Sequence, residues 1–318
     1  MDTIKAYTYY LEGLGKLENF EKTFSSEYRD TYNVKGIYFT VSKKDNVPIS
    51  IYFEGSLPKF LYGTNLRRST RLTLTDSIMK LQLLTGLNLM EFIVVRADMA
   101  INILMKYGIK SYLDKLGYMP RHYREPVKNS VYFKTGTKVN ELVFYDKILE
   151  MKEKEETHKI SPYARIDDKI LRIEYRIFKK ISKELGFNGK LRVRELCSEA
   201  IYEKLLSNLQ KKYHKVQKKE IPDVDGVTSY QEWVMCNAIE NVMNKNKEVA
   251  MKQLDDLIAK EIITKNQKKY FLAELNKKLT NSNLTKKSSF VIELNKKFNE
   301  KMDTLISDPH KNDFAYAI

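Results

Sequence analysis

Short runs in which apolar and polar residues alternate dominate the first part of the chain. KGIYFTVS (35–42), PISIYFEG (48–55), FIVVRADMAINI (92–103), ELVFYDK (141–147) and LRIEYRI (171–177) repeat with the period of two expected of strands with one buried face. Between the second and third, TDSIMKLQLLTG (75–86) carries Ile78, Leu81 and Leu84 at helical spacing. Thr75 or Asp76 can cap its start and Gly86 its end. A second helix over MAINILMKYGIKSYLDKLG competes with the strand that ends near Ile103. Strands interrupted by helices predict an α+β fold, an antiparallel-rich sheet with covering helices on one face.

The punctuation then changes. Every Gly and Pro except Pro309 lies at or before Gly226, so residues 227–308 are predicted to be mostly helical. RVRELCSEAIYEKLLSNLQKKYHKVQKK (192–219) reads as one long helix ending in Lys211, Lys212, Lys215, Lys218 and Lys219. Two parts follow: a mixed domain over 1–185 and a basic helical domain over 186–318 for DNA or partner binding. Lysine pairs at 268–269, 277–278, 286–287 and 296–297 recur without a faithful repeat, and the Asn-rich NVMNKNK and LTNSNLTKK read as loops or frayed helix ends.

Charge narrows the partners. Lys plus Arg number 56 against 41 Asp plus Glu, a net +15. That field attracts polyanions, and nucleic acid is the first to consider. A lysine-rich composition bias would give the same number, so charge alone names no function. Cys197 and Cys236 make no disulfide framework, and His122, His158, His214 and His310 are too scattered for a zinc or His-pair metal site. No apolar run reaches membrane-span length. The expectation is a cytoplasmic protein with no membrane partner. In GSLPKFLYGTNLRRSTR (55–71), Gly55, Pro58 and Gly63 shape a loop that offers Lys59, Arg67, Arg68 and Arg71 to backbone phosphates. Lys211, Lys212 and Lys215 offer a second DNA-facing surface, although solvated helix faces carry such lysines too.

Parity selects the candidate chemistry. Arg96, Asp98 and Asn102 share one strand face, as do Arg172, Glu174 and Arg176, and as do Val143, Tyr145 and Lys147. If these strands are neighbours, Asp98, Tyr145, Lys147 and Glu174 converge on one patch suited to phosphoryl transfer. A tyrosine phenolate attacks phosphorus, and its ordinary pKa near 10 requires a neighbouring cation, Lys147 or a metal. Two carboxylates hold Mg²⁺ or Mn²⁺ through oxygen, and Arg172 or Arg176 clamps a phosphate. Glu150 lies five residues after Tyr145, on the wrong parity, and joins only if the chain bends after Lys147. With 21 tyrosines in the chain, a single tyrosine on a strand is ordinarily a sheet-face residue. The weight rests on the constellation.

Four segments in order carry a resemblance. GSLPKFLYGTN, VVRADMAINI, FYDKILEM and LRIEYRI resemble the Gly-Ser-Leu-x-Lys-Phe-x-x-Gly-x-Asn, Arg-x-Asp, Tyr-x-Lys-x-x-Glu and Arg-x-Glu-x-Arg segments of rolling-circle replication initiators. These are of the filamentous-phage gene II protein kind, related to staphylococcal plasmid replication initiators, and the resemblance spans about residues 1–185. It implies an origin-specific, metal-dependent nickase. Tyr145 attacks one strand, remains joined to the 5′ phosphate, leaves a 3′ hydroxyl for host polymerase, and rejoins the displaced strand by the reverse step. Lys147 stabilises charge, while Asp98, Glu174 and Glu150 hold Mg²⁺ or Mn²⁺. Implied partners are origin DNA, single-stranded or supercoiled, and host helicase and polymerase; a homodimer stays open. The rival is a DNA-binding initiator without chemistry. A tyrosine recombinase ranks last, because no Arg and His arrangement precedes Tyr316.

Overall fold

The computed structural model describes residues 1–67, 70–219, 221–222, 247–279, 285–286 and 288–307. Ten strands form one sheet: β1 (Thr3–Thr8), β2 (Glu21–Ser25), β3 (Arg29–Val34), β4 (Ile37–Lys44), β5 (Val47–Ser56), β6 (Ile93–Leu104), β7 (Tyr123–Val127), β8 (Ser130–Lys134), β9 (Asn140–Asp146) and β10 (Ile170–Ile177). Their order is β2-β3-β4-β5-β1-β6-β10-β9-β8-β7, with every neighbouring pair antiparallel. Tight turns set the register on one wing. Lys35-Gly36 and Asp45-Asn46 both have positive φ at their two residues, the twist that two-residue hairpins require.

The described helices are α1 (Leu57–Tyr62), α2 (Arg71–Thr85), α3 (Ile109–Leu113), α4 (Lys147–Glu153), α5 (Ile181–Glu184), α6 (Val193–Leu196), α7 (Glu199–Lys215), then Lys247–Ala259, Lys265–Leu279 and Ser289–Ser307, and several of them back the sheet. Ile4, Phe39, Phe53, Met99, Phe144 and Ile173 from alternate strand positions share a buried cluster with Leu74, Ile78 and Leu81 of α2. Leu205 and Leu209 of α7 and Leu294, Phe298 and Met302 of Ser289–Ser307 belong to it as well. The Tyr213 and Phe298 rings stack at 3.5 Å, and the Tyr213 hydroxyl donates to Asn295 Oδ1 at 2.7 Å. Apolar packing therefore runs across residue 185, where the sequence places a domain boundary.

Three local readings are corrected. Helix α2 begins at Arg71, four residues before Thr75. Thr70 is its cap, accepting from the Thr73 amide at 3.1 Å while Thr73 Oγ1 accepts from the Thr70 amide at 3.3 Å. Gly86 ends it as expected, at φ 70°. Second, MAINIL stays in the sheet to Leu104, because Met99, Ile101 and Ile103 bury at period two and β10 pairs along the whole run; only Ile109–Leu113 is helical. Third, the long helix over 192–219 is broken. Leu191 O and the Val193 amide bond to Val94 and Phe92 beside β6, which holds the chain extended before α6, and α7 starts afresh after Ser198. Among the described residues no helix is long and apolar enough to cross a membrane.

Candidate active site

Strands β6, β10 and β9 lie side by side, in the arrangement that parity requires. Arg172 stands opposite both Asn102 and Tyr145, Glu174 opposite Ala100 and Val143, and Arg176 opposite Asp98 and Glu141. The face carrying them is the one turned away from the buried cluster. Asp98, Tyr145, Glu174 and Arg176 border a cleft of 470 Å³, completed by Asp2, Lys59, Glu150 and the β7–β8 turn at Lys128.

Lys147 does not occupy the next outward strand position. The strand stops at Asp146, whose carboxylate accepts the Leu149 amide at 3.0 Å and caps α4, so Lys147 is the first helical residue. Its side chain is 1% exposed, with its ammonium 2.5 Å from Glu150 Oε2. The helical turn is the bend Glu150 needs, since residues three apart share a helix face; Glu150 borders the cleft and pairs with Lys154 as well. Burial, reinforced by the nearby Arg172 charge, lowers Lys147 to about 8. Against the effect of burial, the two lysines hold the Glu150 carboxyl below its usual value.

The cation that acts on the phenol is Arg172. Burial pushes the Tyr145 hydroxyl well above 10; the Arg172 charge opposes this, while Glu174, Asp2 and Glu150 add to it. No hydrogen bond among the described residues engages that hydroxyl. The sequence reading makes Arg172 a phosphate clamp, and the geometry corrects it. Its side chain is 3% exposed, 2.9 Å from Asp2 Oδ2, and donates to Asn65 O and Asn102 Oδ1 at 3.0 Å. A guanidinium so engaged is sealed under the cleft floor.

Asp98, 1% exposed, receives Arg96 in two bonds, Nε to Oδ1 at 3.1 Å and Nη2 to Oδ2 at 2.7 Å. Burial and the adjacent Glu174 charge nonetheless push Asp98 up to about 7. Glu174 Oε2 accepts from Arg176 Nη2 at 2.7 Å, and Arg176 Nη1 reaches Glu141 at 2.8 Å. Six acids and five cations line the cleft, the reverse of the chain's overall balance.

The basic segment is not the loop the sequence suggests: Gly55 lies in β5, Pro58 and Lys59 lie in α1, and Gly63 caps that helix. Lys59 borders the cleft but is tied to Glu156 at 2.8 Å, and Glu156 also takes Lys159 at 3.0 Å. Arg67 lies 4.1 Å over the Tyr62 ring and Arg71 opens α2, neither bordering the cleft, while Arg68 falls outside the described residues. The tether carries a prediction. Burial alone would raise Glu156, but its lysines outweigh burial and lower it from 4.5 to about 2. A depressed carboxyl contributes stability in full above the unfolded value and loses it as pH falls through the folded one. In urea denaturation, the stability lost in Glu156→Gln should be constant above about pH 5 and shrink steadily from pH 4.5 toward 2. A difference independent of pH would show that the ion pairs contribute nothing.

Of the cleft residues that escape the sequence reading, two stand out for their charge. Lys128 sits in a two-residue turn, Lys128-Asn129, between β7 and β8; a hairpin reading of residues 123–134 would have exposed it. Asp2 has no sequence signal, being defined only by its contact with Arg172.

Fold and cleft together define a class: α+β proteins whose antiparallel sheet, backed by helices, opens an acid-rich cleft with a tyrosine hydroxyl in its wall. Within that class the family is plain. Residues 13–199 match the family described as the N-terminal part of the gene II replication-associated protein, and the chain belongs to it. Among solved structures it is similar to one described as a rolling circle replication initiator protein from Geobacillus stearothermophilus, at 13% identity and TM-score 0.40, covering 68% of this chain and 83% of that one. No curated protein sequence matches the chain.

Proposed function

We propose that the chain is a rolling-circle replication initiator that nicks one DNA strand at an origin through Tyr145. The observation that carries this reading is the Tyr145 hydroxyl, which no hydrogen bond among the described residues engages, on the wall of a cleft shared with Asp98, Glu174 and Glu150. The Tyr145 oxygen bonds to phosphorus as its proton passes to the acids and water of the cleft, and the phosphorus–O3′ bond breaks. The leaving oxygen takes a proton and becomes a 3′ hydroxyl; the 5′ phosphate stays on Tyr145, which conserves the bond energy for rejoining. Arg172, opposite Tyr145 on the neighbouring strand, favours the phenolate. Lys147 holds Glu150 in place.

The acid pair fits a hard divalent ion. Burial and the neighbouring Glu174 charge disfavour ionisation of Asp98 even with Arg96 and Arg176 present, and a cation relieves this. Among the described residues no group of three or more His, Cys, Asp or Glu is placed to hold a metal. Mg²⁺ or Mn²⁺ at Asp98 and Glu174 would complete its shell with water and phosphate oxygens, as Mg²⁺ commonly does. Bound there, it supplies positive charge to the phosphate and the developing phenolate.

Calorimetric titration of Mn²⁺ without DNA should show binding that Glu174→Gln weakens by about tenfold or more. Arg176 keeps Glu141 in that variant, so the fold is preserved. Equal affinity would remove Glu174 from the metal site. For the chemistry, supercoiled origin DNA incubated with protein and Mg²⁺ should yield a nicked circle covalently joined to protein; binding without adduct would leave the non-catalytic reading. Lys128, which has no ion pair among the described residues, should contact the substrate backbone. Lys128→Gln should lower DNA affinity several-fold and the salt slope by roughly 0.7–0.9, read by fluorescence anisotropy. An unchanged slope would place it off the DNA path.

A further inference from the structure

A second depression, of 660 Å³, opens at the other end of β9. Asn140 lies in it and shares its strand face with Leu142 and Phe144, the helix-covered face, whereas Tyr145 points to the open one. Arg121, Lys180, Lys183, Lys212 and Lys215 line it, with Glu184 as the acid among them. The fold creates this grouping. The last turn of α7 places Lys212 and Lys215 three residues apart, α5 brings Lys180 and Lys183 up beside it, and Arg121 arrives from the loop before β7. Lys211, their neighbour in sequence, is left outside it.

Among the described residues lining the pocket, one acid, Glu184, stands against the five cations. The Glu184 oxygens accept from Tyr175 Oη at 2.8 Å and Asn140 Nδ2 at 3.1 Å, which turns that carboxylate toward the sheet, and its charge acts on Lys212 without an ion pair. Among the described residues none of the five forms an ion pair. Lys212 is half-buried, its ammonium 5.4 Å over the Tyr175 ring and 3.2 Å from Asn140 Oδ1, a neutral acceptor. Partial burial of an ammonium beside like charges costs free energy that an anion in the hollow returns. The Tyr145 cleft, lined by six acids and five cations, is the opposite case.

We propose that this pocket holds the phosphodiester backbone of a DNA segment other than the one presented to Tyr145. The choice of DNA rests on the reading given under Proposed function; the choice of an anion rests on the charges alone. A hollow of this volume accommodates a phosphate with its flanking sugars. Asn140 and Tyr145 are five residues apart, about 17 Å along the strand.

The test is DNA binding by anisotropy in the Tyr145→Phe background, so that nicking plays no part and failure of the Tyr145 chemistry is read separately. Lys180→Gln with Lys183→Gln changes two exposed side chains and leaves the core untouched. Affinity for a 30-mer should fall about five- to tenfold. The slope of log affinity against log salt should shrink by roughly 1.4 for single-stranded or 1.8 for duplex DNA, which distinguishes the two forms. A charge-matched control, Lys35→Gln with Lys44→Gln on the distant β3–β4–β5 turns, should leave the slope unchanged. Equal losses in pocket and control variants would reduce the effect to bulk charge and overturn the proposal. So would an unchanged slope in the pocket variant, including the case in which inorganic phosphate alone stabilises the protein against heat.

Discussion

Tyr145→Phe protein is expected to bind origin DNA within about twofold of wild type, to form no covalent adduct, and to cleave at least about 10³-fold more slowly. Phenylalanine retains the ring against the sheet and deletes only an oxygen that no described hydrogen bond uses, so stability should barely change. Burial raises the phenol, and the wild-type rate should therefore climb with pH across the stable range with no plateau near neutrality. Denaturing gels of 5′-labelled origin DNA read both outcomes. Tyr132 borders the same cleft from β8, so a persisting adduct that maps to Tyr132 would sink the assignment of Tyr145.

Arg172→Met should be the most destabilising single change at the site, by about 3–5 kcal/mol in urea denaturation, because it strands a buried carboxylate. Asp2 and Arg172 are 8% and 3% exposed and 2.9 Å apart. Burial alone would raise Asp2, yet the Arg172 charge and hydrogen bond hold it well below the usual carboxylate value. That contribution is present above about pH 4 and is lost as acid protonates Asp2. Asp2→Asn together with Arg172→Met should recover part of the loss, since neither partner is then left charged and alone. A loss under about 1 kcal/mol in the single variant would place the pair in the class of surface ion pairs. Nicking should fall too, because the charge that favours the Tyr145 phenolate from the neighbouring strand is gone.

Much of the sheet was legible because strands with one buried face announce themselves. β4, β5, β6, β9 and β10 each fall within two or three residues of an alternating run, and the parity of β6, β9 and β10 correctly grouped Asp98, Tyr145 and Glu174. Parity failed at Lys147 because Asp146 caps a helix there, and a cap is a hydrogen bond to one amide rather than a period. It assigned Arg172 to DNA because Arg172 and Arg176 have identical pattern positions. One is sealed by Asp2 and the other borders the cleft, a difference set by a residue far away in the sequence. Lys211, Lys212 and Lys215 looked like one cluster along the chain, yet only two of them reach the pocket with Arg121, Lys180 and Lys183.

Residue order alone was enough for the α+β class, the basic character and the grouping of one phenol with two acids, since each depends on local period or on composition. Which charges are spent inside the fold and which face solvent depended on contacts between distant segments: Asp2 with Arg172, Glu156 with Lys59, Asn140 with Lys212. The reason is range. A period is repeated every few residues and survives in one dimension, whereas the desolvation and pairing of a charge are properties of the whole packed environment around it.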